Sequence, residues 1–206
     1  VPQWGDLSLL GDGTNWQKEL FRRAPLHTPK VSMSGGNDKT TYYMSGDYFN
    51  QEGVAVGSGF DRYSFRLNVD NQARKWLKIS TSLSINQTSD KVVLSNNDLL
   101  NIAISQSPNV PLKNADGSWG GPVDPTFAMT NPVGMANLVD NNYERTNGIG
   151  GITAEINLLK GLVFRTSLNG NIEFGMQSSF IPTYQFGSLV NTMAVSSKTN
   201  SKNFGW

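Results

Sequence analysis

Apolar and polar residues alternate along much of this chain, in long runs. In residues 62–70, Tyr63, Phe65, Leu67 and Val69 fall on one side, and Arg62, Ser64, Arg66, Asn68 and Asp70 on the other. Residues 77–86 set Leu77, Ile79, Thr81, Leu83 and Ile85 against Lys78, Ser80, Ser82, Ser84 and Asn86. In residues 161–174, Leu162, Phe164, Thr166, Leu168, Ile172 and Phe174 alternate with Val163, Arg165, Ser167, Asn169, Asn171 and Glu173. Successive side chains of a strand point to opposite faces, so period two predicts strands with one oily and one wet face. Residues 30–34, 41–49 and 152–158 carry shorter versions of the same pattern.

Between these runs, short and long connections take turns. The short ones are residues 35–39, 71–76 and 159–161; the long ones are residues 51–59, 88–143 and 176–201. Tight turns at one end and long loops at the other are the plan of a transmembrane β-barrel. Thr14-Asn15-Trp16-Gln17 has the form of a capping box, which predicts a helix over 18–23. Leu99, Leu100, Ala103 and Ile104 predict another over 96–106, stopped by Pro108. Phe204-Gly205-Trp206 reads as the start of a further strand.

Composition narrows the classes. The hydrophobic fraction is 37% and the charged fraction 16%, both low for a globular domain, with Gly, Ser, Asn and Thr filling the difference. Lys plus Arg is 17 and Asp plus Glu 16, so a net charge of +1 gives no field to attract nucleic acid. There is no cysteine and one histidine, His27, which removes thiolate chemistry and imidazole zinc clusters. The chain opens at Val1 without a basic, apolar, small-residue leader, so any signal peptide is expected to be already removed or to lie outside this piece, and no run of about 18 apolar residues offers a membrane helix.

One-sided strands also suit a soluble glycan-binding or adhesive β-sandwich, whose oily face packs on a second sheet. The membrane alternative is favoured by alternation longer than the usual 5–6 residues. It is favoured too by charges of both signs on the wet faces: Arg62, Arg66, Asp70, Glu155, Arg165 and Glu173. Aromatics near strand ends, such as Tyr48, Tyr63, Trp76 and Phe174, fit an interfacial girdle. Six or seven strands would leave an open edge, costly in lipid, so the expectation is an all-β, antiparallel, up-and-down barrel fragment with short loop helices.

With these features in place, the sequence resembles the SusC/RagA family of TonB-dependent transporters. The resemblance lies in NWQKELFRRAP (15–25), VSMSGGNDKTTYYMSGDYFNQEG (31–53), FDRYSFRLNVD (60–70), QSPNVPLKNADGSWG (106–120), TAEINLLKGLVFRT (153–166) and FIPTYQF (180–186), in the family's order. It implies a plugged barrel of roughly 22 strands, of which this chain is an early part. Residues 1–26 would be an extracellular loop segment with a short helix, and 27–206 a partial barrel with a long extracellular loop about 88–142. It further implies an imported oligosaccharide or peptide ligand, a SusD-like surface lipoprotein as lid, TonB coupled through a part not in this chain, and a lipid bilayer around the wall.

Chemistry has little to stand on, and the chain is not expected to be an enzyme or to carry a cofactor. Glu155 and Glu173 fall on adjacent strands and one face, but read more simply as lumen wall than as an acid–base pair. His27 reads as a strand-start surface residue, and residues 34–39 as a turn lacking the spacing of a phosphate loop. Asp116, Asp124 and Asp140 lack ordered calcium-ligand spacing. Aromatic residues suited to sugar or partner contact are Trp119, Phe127, Tyr143 and Tyr184, with Phe180 and Phe186 beside them; packing of loop on loop is the simpler use for them.

Overall fold

The computed structural model describes residues 12–93, 99–123 and 129–206. Its main feature is one antiparallel sheet. The strands are β1 (Leu26–His27), β2 (Lys30–Gly36), β3 (Thr40–Glu52), β4 (Gly59–Arg74), β5 (Leu77–Lys91), β6 (Asp140–Leu159), β7 (Leu162–Ile181) and β10 (Val195–Gly205). Both β1 and β2 pair with the same edge of β3, and the order continues β3-β4-β5-β6-β7-β10. From β2 to β7 each strand thus neighbours its sequence neighbour, and β7 pairs next with β10, the up-and-down order that alternating short and long connections predict. The sheet stays open, with β1 and β2 along one edge and β10 along the other.

The register keeps the two faces separate across every strand. One row reads Val31, Gly46, Phe65, Ile85, Gly148, Ile172, Phe204; the row beside it on the same face reads Met33, Met44, Leu67, Leu83, Gly150, Gly170. Directly opposed residues share a face, so oily positions align with oily positions. The other face has rows such as Ser32, Ser45, Arg66, Ser84 and Thr41, Asp70, Ser80, Thr153, Ser167.

The three short turns lie at one end. Between β2 and β3, the Asn37 Oδ1 accepts hydrogen bonds from the Lys39 and Thr40 N–H groups, both 2.9 Å. Between β6 and β7 only Lys160 and Gly161 intervene, and Gly161 takes φ +85°, a turn geometry that glycine adopts without steric cost.

The closed hydrophobic core lies at the other end, not on the sheet. It gathers Trp16 and Leu20 of α1 (Trp16–Leu20), Leu99 and Ala103 of α2 (Leu99–Ser105), and Val133, Met135 and Ala136 of α3 (Pro132–Leu138). Val93, Val139 and Phe186 complete it; Phe186 belongs to a hairpin of β8 (Tyr184–Phe186) and β9 (Leu189–Asn191). Trp16 Nε1 donates to the Ser107 carbonyl at 3.0 Å, tying the first segment to the loop after β5.

Several expectations need correction. The cap of α1 is Asn15, whose side chain accepts from the Lys18 N–H; Thr14 instead donates to the Val110 carbonyl, so the helix begins and ends earlier than 18–23. The part of the second predicted helix before Leu99 lies outside the described residues; α2 ends at Ser105. Helix α3 was not expected, although Asn131-Pro132 is an N-cap followed by proline at the first helical position. Strand β6 starts at Asp140, so Tyr143 lies in a strand and the long connection is 92–139. Phe204 and Gly205 are the far end of β10, with Trp206 just past it, and the start of β10 at Val195 shortens the last connection to 182–194. The β-sandwich alternative fails, because among the described residues the only second sheet is the β8–β9 hairpin and the oily face is bare: Val31 is 77% exposed, Leu168 72% and Phe65 39%.

Candidate functional site

The polar face carries its charges as cross-strand pairs. Nearest the turns, Arg165 lies directly across from Glu155 and is ion-paired with it. Lys78 reaches Asp70 at 3.5 Å along the same face. Toward the loop end, Arg62 meets Asp47 at 3.7 Å, with its guanidinium 5.3 Å from the Phe49 ring centre. Arg145 meets Glu173 at 3.9 Å, and the Asn203 amide also donates to that carboxylate at 3.2 Å. Exposed pairs of this kind contribute about 0–1 kcal/mol each, so their consequence is a wet surface with little net field rather than stability.

Arg66 stands apart. Its cross-strand neighbours are Ser45 and Ser84, and among the described residues it has no ion pair. All six polar-wall residues expected from the sequence, Arg62, Arg66, Asp70, Glu155, Arg165 and Glu173, do lie on this one face. The two carboxylates suggested as an acid–base pair are not brought together. Glu173 is opposite Asn147, eight positions along β6 from Glu155, which is about 27 Å at strand rise. Each answers to its own arginine.

Asp47 and Lys78, on the polar side of their alternating runs, lie on this face as expected, and Arg145 joins it without having been anticipated. Arg145 was hidden because the run Asn147-Gly148-Ile149-Gly150-Gly151 breaks the alternation and made the strand look as if it began later.

The aromatic candidates divide. Tyr143 is on the polar face of β6, and its hydroxyl accepts a 2.9 Å hydrogen bond from Arg145 Nη2. Trp119 is partly buried in the loop cap, with the Lys113 ammonium 4.7 Å above its ring. Glycine at 134 lets α3 come close: a Cβ there would sit 3.0 Å from the Phe186 ring and 3.2 Å from Trp119. Tyr184 stacks on the buried Phe186 at 4.8 Å. Trp119 and Tyr184 therefore pack loop against loop, while Tyr143 stands on the polar face of the sheet. Phe127 lies outside the described residues.

No metal site emerges among the described residues. Asp116 accepts from the Ser118 hydroxyl at 2.6 Å and the Ser118 N–H at 2.9 Å, and these bonds hold its carboxyl below the usual carboxylate range. Asp140 faces Lys91 at 3.6 Å, and Asp124 lies outside the described residues. His27 is exposed on β1, opposite Asn50.

A one-sided, up-and-down sheet with a separate loop core invites comparison with known proteins. No protein-family model matches the chain. It is 24% identical over 218 residues to the TonB-dependent receptor P3 of Formosa agariphila, covering 93% of this chain and 21% of that protein. It is 29% identical over 171 residues to the TonB-dependent receptor P26 of the same organism, covering 81% and 17%. The TonB-dependent receptor SusC of Bacteroides thetaiotaomicron is 22% identical over 213 residues, covering 90% and 21%. Among solved structures, the RagAB peptide transporter superposes with a TM-score of 0.65 at 27% identity, covering 82% of this chain and 20% of that one. The RagAB peptide importer in its open-open state gives 0.68 at 26%, covering 85% and 20%.

The chain is similar to the SusC-type TonB-dependent receptors.

It spans about a fifth of the length of the curated relatives it matches. The relatives are named as receptors and transporters rather than enzymes. For a receptor of this type the open sheet has a plain meaning: it is an arc of a β-barrel wall, and the barrel does not close within this chain.

Proposed function

We propose that this chain forms wall and mouth of an outer-membrane transporter that imports oligosaccharides or peptides. Its oily face meets lipid, and its polar face lines the lumen. A SusD-like lipoprotein covers the mouth, and TonB drives the cycle through a part of the receptor outside this chain.

One observation carries the reading: the bare oily face has a sharp upper limit. On β3 the outward positions run Tyr42, Met44, Gly46, Tyr48 and then turn polar at Asn50; on β4 they run Val69, Leu67, Phe65, Tyr63 and then Asp61. Tyr48 and Tyr63 stack at 4.8 Å where the change occurs. The Tyr48 hydroxyl donates upward to Asp61 at 2.7 Å. An oily band closed by tyrosines with polar tips is what a bilayer interface selects. Beyond that line β6 continues with Glu144, Asn142 and Asp140 outward, opposite Met176, Ser178 and Phe180 of β7, so the two strands rise out of the band and carry the loop core with them.

The RagAB proteins are peptide importers; here the supported reading is a ligand that meets hydroxyls, amides and paired charges on the polar face. Tyr143 and Arg145 stand on that face near the mouth, and Arg66 deeper along it. The test is uptake by cells whose full-length receptor carries Tyr143→Ala or Arg66→Ala, fed labelled oligosaccharide or peptide. Reduced uptake at unchanged receptor level in the outer membrane is expected. Unchanged uptake in both variants removes these residues from the ligand path, and a receptor found outside the outer membrane removes the transport reading.

A further inference from the structure

On the outward face, Gly150 of β6 and Gly170 of β7 lie directly opposite each other. Neither needs to be glycine for the fold. Neither has a left-handed φ, and a Cβ added to either would find its nearest neighbours at 3.6 Å, ordinary contact. Glycine inside a strand weakens it and marks a place where something else approaches closely. The bare backbone forms the floor of a depression of about 480 Å³, walled by Leu83, Ile152, Leu168 and Trp206.

Above this floor, toward the loop end, the same face turns cationic on β10. Phe174 and Phe204 meet edge to face at 6.1 Å. Lys202 is opposite Phe174, and Lys198 opposite Ser178, so both lysines point outward just past the aromatic line. Both are exposed, and among the described residues neither has an ion pair. The nearest outward carboxylates by register are Glu144, in the row of Asn200, and Asp140, in the row of Ser196; each is two strands over and two residues along from the nearer lysine, about 12 Å in the plane of the sheet. Phe174, opposite Lys202, is four positions from Gly170, about 13 Å at strand rise, which is within the length of an acyl chain.

We propose that this face binds a net-anionic phospholipid, with its phosphate held by Lys198 and Lys202 and an acyl chain laid over the Gly150–Gly170 floor. The inference rests on the membrane reading given above. Cationic side chains at an interface attract anionic headgroups. A chain in the depression supplies the dispersion contacts that the missing side chains leave open.

The test uses the full-length receptor purified in detergent and incubated with equal amounts of dioleoylphosphatidylglycerol and dioleoylphosphatidylcholine. Native mass spectrometry reads the lipids retained. Phosphatidylglycerol should be retained in preference. Lys198→Gln with Lys202→Gln should lower its retention roughly tenfold, Lys198→Arg with Lys202→Arg should preserve it, and Gly150→Val with Gly170→Val should lower it as well. Equal retention of the two lipids by the unaltered receptor overturns the proposal. So does undiminished phosphatidylglycerol on either the glutamine or the valine variant. Heat-modifiable gel mobility confirms that each variant is a folded barrel; should the valine variant fail that check, the glutamine variant decides alone. A receptor showing no heat-modifiable mobility at all would instead refute the membrane reading.

Discussion

Leu168 offers the sharpest test of which solvent the sheet faces. It is 72% exposed, so in water its replacement by arginine should change stability by no more than about 0.5 kcal/mol. In a bilayer the position is very different. On β7 the outward positions run Leu162, Phe164, Thr166, Leu168, Gly170, Ile172 and Phe174, and Leu168 is the fourth of seven. Six residues on either side give about 20 Å along the strand at strand rise. That becomes about 15 Å along the membrane normal for a tilt of roughly 40°, which puts Leu168 near the midplane. Arginine on the lipid face there costs about 2–4 kcal/mol, or roughly 30- to 1,000-fold in the folding equilibrium. Urea unfolding of the full-length receptor refolded into lipid vesicles measures it. Asn171→Arg, on the opposite face of the same strand, is the control and should stay within about 0.5 kcal/mol. Should the two substitutions cost the same, the oily face is not in lipid.

Three further outcomes are expected. Asn131 is buried; its amide donates to the Leu112 and Gly120 carbonyls at 2.9 and 3.0 Å, and its oxygen caps α3 through the Gly134 N–H. Asn131→Ala should destabilise the loop cap by about 2–4 kcal/mol, a lost cap plus stranded carbonyls, seen as faster hydrogen exchange across 132–138 with β5–β7 unchanged. A double-mutant cycle on Glu155 and Arg165 should give a coupling of only about 0.2–1 kcal/mol in vesicles; several kcal/mol would mean this part of the wall is dry. Because Asp116 titrates below the usual carboxylate range when its bonds to Ser118 are made, those bonds favour the ordered 114–118 turn above that range, and the benefit is lost as pH falls through the depressed value. Hydrogen exchange at Ser118 should therefore accelerate in acid relative to its intrinsic rate, and Asp116→Asn should flatten the change.

The strands were legible where the two faces differ, and became illegible where they do not. Residues 62–70 and 77–86 contrast oil with hydroxyl or charge at every step, so their faces could be read directly. The first third of β6 could not. From Asp140 to Asn147 both faces are polar, and three glycines at 148, 150 and 151 remove the side chains that would have resumed the pattern. A strand standing in water on both sides has no reason to alternate. That Arg62, Arg66, Asp70, Glu155, Arg165 and Glu173 lie on polar strand faces could be read because a single strand's alternation is enough to assign a face. Their partners were found only in part, because Arg145 with Glu173 and Arg62 with Asp47 depend on register between strands, which one strand's periodicity does not contain. The aromatics of the loops were the least readable. Phe186 is fully buried in the loop core while Tyr143 is partly exposed on the polar face of β6, and nothing in their local sequence separates them.

The placement of the core follows from the same division of solvents. A membrane strand satisfies its backbone by pairing with its neighbours and leaves its side chains to lipid on one face and water on the other, so the sheet has no interior to fill. The long connections at the open end stand in water, where segments without a buried core cannot offset the entropy of ordering. These loops therefore build one of their own, from Trp16 and Leu20 ahead of the sheet, Leu99 and Val133 between β5 and β6, and Phe186 between β7 and β10. Segments far apart in sequence are locked together by this core, as the Thr14 to Val110 and Ser188 to Pro122 hydrogen bonds show. The mouth of the wall is thus a folded platform rather than a fringe of independent loops. A substitution inside it, such as Phe186→Ala, would disturb contacts contributed by all three segments at once while leaving the β-ladder below intact.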